Sequence, residues 1–247
     1  MSEFSTNEFL IKPIAVMESP YRTKFAIPRQ SSLIHYGQFF IKMLPPFNNI
    51  DAFAGIEEFS HLWISFIFHE VDKDKAFAPK IRPPRLGGDA KIGVFASRSP
   101  FRPNRIGLSS VKLKRVIHKN KEVRLEVEGA DLVNNTPIID IKPYVKYTDA
   151  HIDANCSFAK FEPLLTTVEF TELARTQIAK TGIPNFLEFI AENLSQDPRP
   201  AYKKRREQDE VLHEVDSKEY GVQFYDYDVH WISLIDKILV TRIEAIA

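Results

Sequence analysis

The 247-residue chain has a single cysteine, Cys156. It can form no internal disulfide, and it cannot supply the several thiolates that most structural zinc sites use. A reducing compartment fits that scarcity. Its nine glycines stand at 37, 55, 87, 88, 93, 107, 129, 182 and 221, with no two of them separated by one residue. The GxG fingerprint of dinucleotide-binding sheets, the glycine-rich turn of open-sheet methyltransferases and the GxxxxGK phosphate loop are therefore all missing. Seven scattered histidines include no HExxH and no pair four apart, and the serines lack a GxSxG setting. Neither a zinc hydrolase nor a hydrolytic triad has support. No run approaches the roughly 18 apolar residues of a membrane helix. The N-terminal stretch has no basic residue before Lys12, and Lys12-Pro13 breaks its apolar character. It does not read as a secretory leader. With 44% hydrophobic and 27% charged residues, the composition is that of a folded cytoplasmic protein of one large or two smaller domains.

Neither charge sign is in excess over the whole chain, with 33 basic and 33 acidic residues. The balance conceals a segregation. Between positions 80 and 115 stand ten basic residues, Lys80, Arg82, Arg85, Lys91, Arg98, Arg102, Arg105, Lys112, Lys114 and Arg115, against Asp89 alone. A second basic cluster comprises Arg199, Lys203, Lys204, Arg205 and Arg206. Two separated basic segments suggest a polyanion surface assembled from distant parts of the chain. The competing reading is that each pairs with acidic neighbours, such as Glu207, Asp209 and Glu210 beside the second.

Strand signals dominate the first 155 residues. In residues 62–69, Leu62, Ile64, Phe66 and Phe68 share one face while Trp63, Ser65 and Ile67 share the other, which predicts a strand buried on both sides. Val123, Leu125 and Val127 alternate with charged residues, and a polar link at 118–121 joins them to residues 111–117 as a hairpin. Further strands are predicted at 9–16, 39–43, 92–96 and 138–141. Together they imply an antiparallel barrel or sandwich. After residue 160 the rhythm changes. Phe170, Leu173, Ala174 and Ile178 recur at helical spacing up to Gly182, and Phe186, Leu187, Ile190 and Leu194 make a second stripe after Pro184. Two strands around Asp236 complete a small α+β unit. The expected organisation is a mainly β barrel domain at 8–155 and an α+β domain at 165–245.

Polar and basic residues concentrate in loops that a barrel would gather. YRTKFAIPRQ places a rigid turn before Arg29 and Gln30, a guanidinium and an amide suited to a carboxylate or a nucleobase edge. His69-Glu70 closes the apolar strand. RPPRLGGDAKIGVFASRSPFRPNRIGLS holds five arginines on proline-fixed backbone, where they lose less freedom on binding an anion. DLVNNTPIIDIKPY puts a polar turn before a strand.

These segments, in this order and with QDPRPAY and YDYDVHW in the tail, resemble the TrmO (TsaA-like, YaeB) family of S-adenosylmethionine-dependent tRNA methyltransferases over nearly the whole chain. The resemblance implies a non-Rossmann barrel with a small C-terminal domain, a homodimer, no metal, and methylation of N6 of the threonylcarbamoyladenosine beside the anticodon. Carried over position by position, it implies that the donor site uses Pro28, Arg29, Gln30, His69, Glu70, Arg98, Leu108, Asp131, Leu132, Val133 and Asn134. Two positions depart from the family pattern. Asn134-Asn135-Thr136-Pro137 stands where the family reads DGTP, and Arg102-Pro103-Asn104-Arg105 where it reads RPNP. Asn135 tolerates positive φ, but Asn134 brings no charge. The basic residues Arg82, Arg85, Arg102, Arg105, Arg199, Lys203, Lys204, Arg205 and Arg206, with Tyr202, are the expected tRNA contacts. No general base is assigned. The alternative is a barrel that holds tRNA or a nucleoside without reacting.

Overall fold

Alternating apolar residues on short segments can satisfy every backbone group only if the strands pair, and the cheapest way to leave no edge is closure. In the computed structural model, which describes residues 9–72, 76–83, 86, 90–161, 163–199 and 218–246, six strands close into a barrel. The strands in chain order are β1 (Ala15–Glu18), β2 (Phe39–Met43), β3 (His61–Ile67), β4 (Lys80–Ile81), β5 (Ile92–Gly93), β6 (Ile106–Lys119), β7 (Glu122–Glu128) and β8 (Pro137–Pro143). The barrel order is β1-β2-β7-β6-β3-β8, while β4 and β5 form a separate two-stranded ribbon. Inward residues such as Met17, Ile41, Leu62, Ile64, Val111, Leu125 and Ile138 are fully buried.

The predicted hairpin is β6–β7, turned by Asn120 and Lys121, both at positive φ. Such a two-residue link matches the right-handed twist of its strands. Three strand expectations need correction. The strand predicted at 9–16 forms only from Ala15 onward, and Phe9 and Leu10 lie exposed ahead of Pro13. The strand at 92–96 stops at Gly93 and continues as a 3₁₀ turn over Val94–Ala96. β3 is fully buried on its Leu62, Ile64 and Phe66 face but only half-buried on the face of Trp63, Ser65 and Ile67, so it is not sandwiched between two layers.

After a short helix α1 (Lys146–Asp149), the C-terminal unit comprises β9 (Thr167–Phe170), α2 (Glu172–Thr181), α3 (Phe186–Ser195), β10 (Glu219–Phe224), β11 (Tyr227–Ser233) and β12 (Lys237–Ala245). Its sheet runs β10-β11-β12-β9, with β9 parallel to β12. Phe170, whose spacing predicts a helical position, instead ends β9. Thr171 caps α2, its side-chain oxygen accepting from the Ala174 N–H at 3.1 Å. Ala174 and Ile178 face the core while Leu173 is exposed. Gly182 ends the helix in the left-handed region, as predicted.

The unit docks on the barrel through an aromatic cluster. The Tyr21 ring lies 5.7 Å from both Phe39 and Phe189 and 6.1 Å from Phe224. Gly37, at φ 106°, lets the chain pass where a Cβ would stand 2.7 Å from the Phe189 ring. The buried Tyr21 hydroxyl donates to Asn193 Oδ1 at 3.0 Å, and Asn193 Nδ2 donates to the Phe189 carbonyl at 2.7 Å. Burial pushes the Tyr21 phenol well above its ordinary range despite that bond.

Candidate active site

Five segments converge on a cavity of about 540 Å³ at one mouth of the barrel, within the range of about 300–1,000 Å³ typical of small-molecule sites. The β1–β2 loop contributes Ile27, Pro28, Arg29 and Gln30, the end of β3 contributes Phe66, Phe68, His69 and Glu70, and the loop before β6 contributes Arg98 and Arg102. Gly107, Leu108 and Ser109 come from β6, and Asp131, Leu132 and Val133 from the β7–β8 turn. Backbone bonds fix these pieces against one another. The Ser32 N–H donates to the Gly129 carbonyl at 2.8 Å, the Phe68 N–H to the Arg105 carbonyl at 2.8 Å, and the Asn135 N–H to the Met17 carbonyl at 2.7 Å. At Gly107 a Cβ would stand 2.3 Å from the Phe66 ring. The absence of a side chain there is what lets that ring lie across β6 and line the cavity.

Ten of the eleven residues expected at the donor site line this cavity; the exception is Asn134. Its Oδ1 accepts the Ser19 N–H at 3.1 Å and its own N–H donates to the Tyr21 carbonyl at 2.9 Å, so it pins the chain behind the site. Asn135 takes the positive φ that a glycine would supply, 63°. Sequence reasoning misses Trp63, Phe66 and Phe68, which alternation marks as strand residues, and Ser109, the neighbour of Leu108.

The cavity combines opposite charges with apolar walls. The Arg98 guanidinium donates to the Gln30 side-chain oxygen. Ser109 Oγ donates to Asp131 Oδ1 at 2.7 Å. Burial pushes the Asp131 carboxyl up to about 6, against the opposing pull of the Ser109 bond and the Arg98 charge. Lys24 Nζ donates to the Glu70 carbonyl at 3.1 Å, holding the end of β3 to the β1–β2 loop. Guanidinium and carboxylate groups facing Ile27, Ile106 and Leu132 suit a ligand that is zwitterionic at one end and flat or apolar at the other. Among the described residues no three His, Cys, Asp or Glu side chains gather as a metal site.

A wider groove of about 930 Å³ adjoins the cavity and shares Arg29, Gln30, Arg98 and Arg102 with it. Here the basic stretch divides. Lys112 and Lys114 pair with Glu128, and Arg115 with Glu126, so for them the acidic-neighbour reading holds. Lys80, Arg82 and Lys91 line the groove without a carboxylate partner among the described residues. Arg102 donates to the Ser97 and Ser99 carbonyls and Arg105 to the Val71 carbonyl, and neither has a carboxylate partner among the described residues. Arg199, expected to face RNA, donates to Asp197 through two bonds of 2.8 and 3.0 Å. Arg85, Tyr202, Lys203, Lys204, Arg205 and Arg206 lie outside the described residues.

Residues 16–150 match the family model of the tRNA-methyltransferase O N-terminal domain, and residues 163–246 that of the TrmO C-terminal domain. The chain is 42% identical, over 91% of its length and 93% of the relative's, to the tRNA (adenine(37)-N6)-methyltransferase of Escherichia coli strain K12. It is also 42% identical to a provisionally named S-adenosylmethionine-dependent methyltransferase, RcsF, of Pseudomonas aeruginosa, over 90% of this chain and 91% of that one. The crystal structure of TrmO from Pseudomonas aeruginosa superposes with a TM-score of 0.78 at 34% identity, covering 98% of this chain and all of that one. With both halves matched by family models and close relatives covered almost end to end, the chain belongs to the TrmO family.

Proposed function

We propose that the chain is an S-adenosylmethionine-dependent tRNA (adenine(37)-N6)-methyltransferase, acting on adenine in its threonylcarbamoyl form, as a cytoplasmic homodimer. The observation that carries the reading is the small charged cavity opening directly onto a groove lined by Lys80, Arg82, Lys91, Arg102 and Arg105. A methyl donor fits the former and a polyanion the latter. The relatives' names supply the same activity.

The cavity residues fit the donor. Arg98 and Arg29 present guanidiniums for its carboxylate, Glu70 and Asp131 present carboxylates for its amino group or ribose, and Ile27, Phe66 and Leu132 supply apolar walls. S-adenosylmethionine supplies an electrophilic methyl on a sulfonium that departs as a neutral thioether, so no acid is needed. The protein's contribution is chiefly alignment, worth up to about 7–11 kcal/mol in ideal cases. Pro28 stiffens the loop that offers Arg29 and Gln30, and the Arg98 bond to Gln30 ties that loop to the opposite wall. Leu108 and the Phe66–Phe68 pair, whose rings meet edge to face at 5.1 Å, add apolar surface to the cavity.

Dimerisation is supported by the connector between the two units. There Ile152 and Leu164 are 99% and 94% exposed, with Phe161 and Leu165 also open to water. So many large apolar side chains on one strap call for a partner surface. Light scattering is expected to give twice the 28.4 kDa chain mass; a monomer at micromolar concentration would contradict it. Two assays together test the enzymatic reading. S-adenosylmethionine at about 100 times its dissociation constant should add about 2.7 kcal/mol of stability in thermal melting. Nucleoside mass analysis of tRNA from cells lacking the gene, with and without complementation, should show the N6-methylated nucleoside appear only with the gene. No melting shift and no methylated product would leave a non-catalytic RNA-binding barrel.

A further inference from the structure

We infer that Phe77 and Phe95 form a stacking platform for an unpaired anticodon-loop base next to the target adenine. The inference rests on the tRNA reading above and names the side chains that meet the loop beyond the donor cavity. The β4–β5 ribbon is only two residues long, pairing Lys80 with Gly93 and Ile81 with Ile92. The Val94 N–H donates to the Pro79 carbonyl at 3.0 Å, extending the pairing by one step. Phe77 and Phe95 sit just beyond that step on the two arms, and their rings lie 6.4 Å apart with planes inclined by 32°. Both remain open to water, 56% and 73% exposed, and neither belongs to the hydrophobic core. Residues of this size ordinarily hide that surface, so a pair of rings held side by side in solvent calls for a ligand.

The surroundings identify the ligand's chemistry. Phe77 lines the groove that holds Lys80, Arg82 and Lys91 as well as Arg102 and Arg105, with Asp72 the one carboxylate lining it among the described residues. An apolar protein partner would have to bury those cations unpaired, at a cost of several kcal/mol each. A second copy meeting the same patch about a two-fold axis would place these cations against their own copies. A nucleic acid satisfies both components at once, phosphates on the cations and bases on the rings. Aromatic faces are of use only where bases are unpaired, which selects a loop over a duplex. The groove shares Arg98 and Arg102 with the donor cavity, so a base entering the cavity brings its sequence neighbours over the groove.

The test uses the full-length protein and an anticodon stem-loop RNA carrying the threonylcarbamoyl group on the target adenine and 2-aminopurine beside it. Stacking on a ring quenches that fluorophore. Parent, the Phe77→Ala/Phe95→Ala double variant and the Phe77→Trp/Phe95→Trp double variant are compared for RNA affinity, quenching, KM against kcat, and calorimetric affinity for S-adenosylmethionine. The alanine variant is expected to bind RNA about five- to a hundredfold more weakly, the loss of one stacked base. Its bound-state quenching should also fall and its KM for RNA rise, while donor affinity stays at the parental value and the tryptophan variant regains quenching. Unchanged RNA affinity and quenching in the alanine variant would overturn the platform while leaving the methyltransferase reading intact, as would a change of assembly mass without a change in RNA binding. A parent that binds stem-loop RNA without methylating it would count against the enzymatic reading alone. A parent that does neither would overturn both.

Discussion

Replacing Asp131 with asparagine should stabilise the protein, and more so as pH rises. The carboxyl's ordinary value of 3.8 is pushed to about 6 in the folded state, chiefly by burial. Between those two values the folded chain holds a proton that the unfolded chain has released, so stability falls as pH rises through that window. At 1.36 kcal/mol per unit the full penalty is about 3 kcal/mol near pH 8 and about 1 kcal/mol near pH 4.5. The asparagine side chain is nearly isosteric and keeps an oxygen to accept the Ser109 hydroxyl, whose bond to the Asp131 Oδ1 is 2.7 Å, so the exchange removes the charge with little loss of contact. Urea unfolding of parent and variant at the two pH values isolates the effect, because every other titrating group is common to both proteins and cancels. The variant's advantage should grow by about 2 kcal/mol from pH 4.5 to 8. An advantage that is constant with pH would refute the reasoning, since an unperturbed carboxyl gives no pH-dependent gain. A variant less stable at pH 8 than at 4.5, relative to parent, would show that Arg98 outweighs burial. Donor affinity should drop in the same variant, the trade expected where a site keeps an unfavourable charge for binding.

Arg98→Ala should lower S-adenosylmethionine affinity by about ten- to a hundredfold, the weight of a charge-assisted bond, while far-UV circular dichroism stays parental; equal calorimetric affinities would remove Arg98 from the site. Tyr21→Phe should cost about 1–3 kcal/mol in denaturant unfolding, because the buried Asn193 Oδ1 loses its donor. Replacing Lys203, Lys204, Arg205 and Arg206 together by alanine should flatten the slope of log RNA affinity against log salt by up to about 3 units and leave donor binding alone. An unchanged slope would confine the RNA surface to the barrel groove.

What the chain discloses on inspection depends on how local the cause is. The β6–β7 hairpin is legible because Val123, Leu125 and Val127 alternate with charges and the turn residues sit between two such runs. β9 is hidden for the opposite reason. It has four residues, its partner β12 lies some seventy positions away, and Phe170 falls in register with the helix that follows. The stretch before Ala15 shows alternation failing, since apolar residues at 9–11 meet no paired strand. In the site, the arginine- and proline-rich loops stand out as composition, whereas their convergence is a property of barrel closure that no single segment carries. Trp63, Phe66 and Phe68 are concealed by their own strand pattern, because a residue facing the barrel core and one lining its mouth alternate identically. Apart from the family resemblance, Asp131 reads as any polar turn residue, and its raised carboxyl follows only once the neighbours that bury it are in place.

Barrel closure also joins the two units functionally. The β1–β2 loop that offers Pro28, Arg29 and Gln30 to the cavity is held at both ends by the C-terminal unit. At the start, Tyr21 is sealed among Phe189 and Phe224, and Arg22 donates to the Tyr225 carbonyl at 2.8 Å and pairs with Asp226. At the end, Glu192 accepts the His35 N–H at 2.7 Å, and the Tyr225 hydroxyl accepts the Gln38 N–H at 2.9 Å. Between these anchors the loop touches the barrel through Ser32 and Gly129 and meets the opposite cavity wall through Gln30 and Arg98. A loop of this length without regular secondary structure would otherwise sample many arrangements, and alignment is the main source of catalysis available to this site. The C-terminal unit therefore acts on the cavity from behind, by restricting the loop that forms one wall, although α3 and β10 contribute no residue to the cavity itself.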